Sequence, residues 1–116
     1  MPVRGIRGAT TVAENRREEI IAATKELLSA IAKRNKLKVE EIASITFTAT
    51  EDLDADFPAA AARELGWNET PLLCSREINV PGSLPKCIRI LLHVNTNKDQ
   101  SQMQHVYLKE AVNLRR

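Results

Sequence analysis

Cys87-Ile88-Arg89-Ile90-Leu91-Leu92-His93-Val94-Asn95 is the stretch that decides the fold. Ile88, Ile90, Leu92 and Val94 recur at every second position, the side-chain period of a β-strand. The other face carries Cys87, Arg89, Leu91, His93 and Asn95. A strand with one wholly aliphatic face lays that face on a core. Working outward, residues 44–50 alternate in the same way. Ile45, Phe47 and Ala49 form one face, and Ser44, Thr46, Thr48 and Thr50 the other. Residues 3–9 are β-compatible, with Val3, Gly5, Arg7 and Ala9 on one side and Arg4, Ile6 and Gly8 on the other. Leu72 and Leu73 begin a short strand that ends near Arg76 or Glu77. Residues 106–114 read as a last strand-like segment, interrupted by Lys109 and Glu110.

Helical periodicity fills the gaps. Ile20, Ile21, Thr24, Leu27, Leu28 and Ile31 recur at spacings of three and four, which predicts a helix over about 15–35. Asn15 is placed as its cap, with Glu18 in the first turn. Residues 39–42 predict a single helical turn. Pro58 opens a shorter helix through Leu65, and Gly66 stops it. Glu51, Asp52, Asp54 and Asp56 lie in an acidic loop without calcium-loop spacing, read as solvated. The predicted order β-α-β-α-β-β-β gives an α+β fold: a mixed β-sheet with helices packed on one face, in one domain over residues 1–116.

Composition narrows the function. In 116 residues, 43% are hydrophobic and 28% charged, as in a folded domain, with room for a core but little for a deep private pocket. A pocket between subunits is therefore in view from the start. The aromatics are only Phe47, Phe57, Trp67 and Tyr107, too few for a base-stacking surface. The net charge of +2 comes from mixed signs rather than a basic stripe, which argues against nucleic acid. No apolar run approaches the roughly 18–20 residues that cross a bilayer, and the N-terminus lacks a signal-peptide core. The expectation is a cytoplasmic protein without a membrane partner. Cys74 and Cys87 have no CxxC or Cys/His company, so no metal is expected, and both are read as free thiols.

Arg89 is the most informative position. A mid-strand arginine among aliphatics must be paired or functional, because an unpaired buried charge is costly. From the residues alone, a structural salt bridge or an exposed sheet face explains it equally well. Arg7 raises the same question in the first strand, and two arginines on facing strands can fork a carboxylate or phosphate. His93 and His105 lack evident partners in the sequence. No nucleophile elbow, P-loop or dinucleotide fingerprint is present.

Four blocks, in order and suitably spaced, resemble the monofunctional AroH-class chorismate mutases. They are Arg4-Gly5-Ile6-Arg7-Gly8-Ala9-Thr10-Thr11-Val12, Asp56-Phe57-Pro58-Ala59 with Arg63-Glu64-Leu65, Lys86-Cys87-Ile88-Arg89, and His105-Val106-Tyr107-Leu108. The resemblance implies the Bacillus chorismate mutase-like fold, a trimeric pseudo α/β barrel with active sites at subunit interfaces. It implies the intramolecular Claisen rearrangement of chorismate to prephenate, in phenylalanine and tyrosine biosynthesis. That reaction needs no cofactor and no metal.

The resemblance also implies roles. Arg89 meets the ether oxygen, Arg7 and Tyr107 bind substrate carboxylate, and Glu77 accepts from the substrate hydroxyl. Leu73, Cys74, Ser75, Arg76 and Glu77 line the pocket, and Phe57 and Arg63 contribute from the interface helix. Leu114 and Arg115 belong to a short tail that can close over the site. Position 60 is Ala, where relatives can carry a lysine, so charge steering there is lost. Two alternatives stand beside this reading: a trimeric imine deaminase of the RidA type, and a non-enzymatic small-molecule or nucleic-acid binding module.

Overall fold

The aliphatic face of the deciding stretch forms the middle of the molecule. A computed structural model describes residues 1–114 of the chain. Strand β1 spans Val3–Thr11, helix α1 Arg17–Arg34, strand β2 Ile42–Ala49, helix α2 Ala59–Glu64 and strand β3 Leu72–Arg76. Strand β4 spans Cys87–Asn95 and strand β5 Val106–Tyr107. Short 3-10 helices occupy Val39–Glu41, Gln100–Gln102 and Lys109–Leu114. The five strands make one sheet in the order β3-β2-β4-β1-β5. Central β4 runs antiparallel to both β1 and β2, whereas β3 joins β2 and β5 joins β1 in parallel. The sheet is thus mixed, as expected, and β3 is an edge strand.

Both helices cover one face. Ile6, Ile45, Phe47, Ile90, Leu92 and Val94 are buried together with Leu27, Leu28 and Ile31 of α1 and Ala61 and Ala62 of α2. Gly8 lets α1 approach. A Cβ there would stand 2.7 Å from Ile31 Cδ1 and 3.2 Å from Leu27 Cδ1. Gly66, at φ 87°, ends α2, and its N–H donates to Arg63 O while Trp67 N donates to Ala62 O. This is the paired C-terminal bonding that glycine favours. Lys25 and Arg17 reach across to Glu64 at 2.9 and 3.2 Å and tie α1 to α2. The Lys25 hydrogen bond is the main reason the Glu64 carboxyl lies below its ordinary range.

Three local expectations need correction. Asn15 does not cap α1. Arg16 occupies the cap position without a side-chain bond. Asn15 instead donates from Nδ2 to Asp54 Oδ1 at 2.6 Å and accepts from the Asp54 and Ala55 N–H groups. It is a clasp on the acidic loop. That loop is also more than a solvated turn. Asp52 accepts from the Lys86 N–H, and Asp56 pairs with Arg17 at 2.8 Å. Finally, the last strand ends at Tyr107. Lys109 adopts φ 53°, which turns the chain out of the sheet and into the 3-10 helix.

Candidate active site

Neither α-helix covers the opposite face, which only the final 3-10 helix overlies at one end among the described residues, and strand register orders its side chains into rows. One row runs Leu73, Thr46, Leu91, Arg7 across β3, β2, β4 and β1. The next runs Ser75, Thr48, Arg89, Ala9, Tyr107, ending on β5. Arg89 therefore stands between Thr48 and the small Ala9, with Tyr107 beyond. Arg7 sits diagonally from Arg89 on the adjacent strand, a separation of about 7–8 Å between backbones that long side chains span. The two arginines share a face, which the β1–β4 register establishes, and so can address one anion.

Glu77 follows the last residue of β3. Its N–H donates to Ala49 O at 2.9 Å, extending the β2–β3 ladder by one bond. Its Oε2 lies 3.4 Å from Arg89 Nε and accepts from Thr48 Oγ1 at 2.8 Å. Its Oε1 accepts from the Ile78 N–H at 3.2 Å. The Arg89 side chain remains 44% exposed, so this pair is open to solvent and is not a sealed salt bridge. Arg7 is positioned through its backbone, whose N–H donates to His105 Nδ1 at 2.9 Å. Gln100 makes a two-way amide bond with Gly5 further along the same edge. The side chains of His105 and Gln100 thus continue the pairing of β1 beyond the two residues of β5. The final 3-10 helix folds back over Ala9 and Cys87, burying Ala111 there and bringing Leu114 to the rim.

A hollow of about 380 Å³ results, lined by Arg7, Ala9, Thr46, Thr48, Glu77, Arg89, Leu91, Tyr107 and Leu114 among others. Five of the expected site residues are brought together here: Arg7, Glu77, Arg89, Tyr107 and Leu114. Others fall elsewhere in the same chain. Phe57, Cys74, Ser75 and Arg76 line a separate hollow beside the acidic loop. Cys74 pairs with Phe47 on the helix-covered side of the sheet. Arg63 is exposed near the end of α2, and Leu73 is 64% exposed on the open face. Arg115 lies outside the described residues.

Thr46, Thr48, Leu91 and Ala9 were not singled out from the sequence. The face parity of Arg89 and the register of its strand would have found them. Burial pushes both thiols above their ordinary range, against smaller opposing effects of Arg63 at Cys74 and of Arg89 at Cys87. Neither is prepared as a thiolate nucleophile. A larger hollow, about 860 Å³, lies along the N-terminal half of α1 against residues 84–86. Its lysines are engaged, Lys86 with Ala13 O and Lys109 with Glu26. Convergent donors favour the arginine hollow over this larger one.

The comparisons agree with one another. The family described as chorismate mutase type I matches residues 3–116. A chorismate mutase AroH of Thermus thermophilus is 53% identical over 97% of this chain and 93% of its own. A chorismate mutase AroH of Bacillus subtilis is 48% identical over 99% of this chain and 91% of its own. A solved chorismate mutase from Clostridium thermocellum superposes with a TM-score of 0.93 at 55% identity, covering 94% of this chain and 97% of that one.

Proposed function

The chain belongs to the chorismate mutase type I family, and from that premise we propose that the arginine-lined hollow on its open sheet face is the active site. The protein is a chorismate mutase, an isomerase that rearranges chorismate to prephenate in aromatic amino-acid biosynthesis. The deaminase and binding-module alternatives have no support from the comparisons.

The chemistry suits the residues. In the rearrangement a C–O bond breaks as a C–C bond forms, within one molecule and without obligatory proton transfer. The catalyst must hold a flexible dianion in a compact, chair-like conformer and meet the negative charge that grows on the ether oxygen. Arg7 and Tyr107 bind substrate carboxylate. Glu77 accepts from the ring hydroxyl and orients the ring. Arg89 donates to the ether oxygen, so its interaction strengthens as the bond breaks, which is what lowers the barrier. The observation that supports this most is the position of Arg89: central on an open face, flanked by Ala9 and Thr48, with its Nε 3.4 Å from Glu77 Oε2.

A second copy completes the site in this reading. Phe57, Arg63, Leu73, Cys74, Ser75 and Arg76 do not line the arginine hollow of their own chain, although Leu73 and Ser75 continue its rows to the sheet edge, and in this reading they serve the hollow of a neighbour. Phe57, Leu73 and Leu91 are 66%, 64% and 41% exposed on or beside the open face, apolar area that association would cover. The assembly is a homotrimer that works in the cytoplasm, each copy contributing residues 1–116 as one domain. Ultraviolet absorbance of chorismate and identification of prephenate test the activity, and sedimentation tests the assembly. Conversion above the spontaneous rate by a trimer is expected. A fully active monomer would remove the shared site.

A further inference from the structure

We propose that Thr48 is a positioning residue for the rearrangement: its hydroxyl holds the Glu77 carboxylate at the Nε edge of Arg89 and so leaves the terminal guanidinium nitrogens to the substrate. The inference rests on the roles given above to Arg89 and Glu77.

Thr48 and Arg89 are direct partners across β2 and β4 and share the open face. Both reach the same atom. Glu77 Oε2 accepts from Thr48 Oγ1 at 2.8 Å and stands at 3.4 Å from Arg89 Nε. The hydroxyl bond is the shorter of the two, and the Ile78 N–H holds the second oxygen at 3.2 Å. The carboxylate is therefore pinned at both ends by neutral donors, with the arginine pair secondary. Without those donors, a carboxylate beside a guanidinium tends to a two-bond fork. A fork would occupy two of the five N–H donors of Arg89 and oppose its positive field where the ether oxygen must gain charge. Thr48 suits the task. A β-branched side chain on a strand has a restricted χ1, so its hydroxyl is held where the carboxylate needs it.

A plain structural reading competes, in which Thr48 is only a good strand former. Thr48→Val keeps the branch and removes the hydroxyl, and Thr48→Ser keeps the hydroxyl. If the hydroxyl positions Glu77, Val lowers kcat by about tenfold, the scale of one hydrogen bond to a charged group, with KM changed less than about threefold. Ser then stays within about threefold of the parent. A Val variant with parental kcat, one altered only in KM, or a Ser variant as impaired as Val would overturn the assignment. Arg89→Ala, measured alongside, separates the two levels. If it keeps parental turnover, the reading of the site fails, and Thr48 with it. If it is inactive while Thr48→Val keeps parental kcat, the positioning role alone is lost.

Discussion

Arg89 stands in the middle of a strand whose alternate side chains, Ile88, Ile90, Leu92 and Val94, are all buried. Period 2 alone placed it on the opposite face, and an arginine there required a partner or a task. The structure supplies a partner, Glu77, whose Oε2 lies 3.4 Å from Arg89 Nε. That contact was not legible, because it depends on where β3 ends relative to β2. Thr48 was less legible still, since one hydroxyl among Ser44, Thr46, Thr48 and Thr50 gives no signal without register. The chemistry assigned to Arg89 requires a planar fork and not merely a cation. Arg89→Lys keeps the charge but presents a strongly hydrated point donor. We expect it to lose roughly 10²-fold or more in kcat, at the scale of one missing oxyanion-type donor. Steady-state kinetics check this, and a lysine variant near parental kcat would show that charge alone suffices.

At the scale of elements, the regular parts were legible and the joints were not. The β4 boundaries follow directly from the alternation, and α1 from its three-and-four spacing. Asn15 was misread because a cap and a loop clasp have the same local sequence. Its true partners, Asp54 and the following N–H groups, are about forty residues away. The final segment was read too far as strand, because a positive φ at Lys109 leaves no mark in residue type. A joint of this kind supports the site. Buried Asn35, just beyond α1, donates to Ile31 O and Gln104 O at 2.9 Å and accepts from Gln104 N at 2.7 Å. It anchors the chain just ahead of His105 and Tyr107. Asn35→Ala should lower stability by about 2–3 kcal/mol, since the Gln104 amide and carbonyl lose their partner. Chemical denaturation reads the loss, and hydrogen exchange should quicken at residues 104–107. Unchanged exchange there would show that the segment is held by the sheet alone.

At the scale of the molecule, two helices cover one side of the sheet, and the arginine hollow lies on the other. The arrangement places charged donors beside exposed Leu73 and Leu91, which is apt for a face that meets another copy. Composition had already pointed this way, since a domain of this size has little room for a private pocket. Which residues share a hollow within one chain was not legible, because Cys74 and Ser75 point to opposite sides of an edge strand whose register only the sheet defines. Leu73→Asp places a charge on the open face. We expect it to shift sedimentation toward the monomer and to lower activity with it, whereas a variant that stays assembled and active would exclude Leu73 from the contact. The central claim is that the rearrangement is driven by Arg89 on this open face. Initial rates of chorismate disappearance for the parent protein and for Arg89→Ala test it most directly. The account predicts rapid conversion to prephenate by the parent and a loss of at least roughly 10²–10³-fold in the variant, with the fold intact by circular dichroism. Near-parental turnover by folded Arg89→Ala would contradict it.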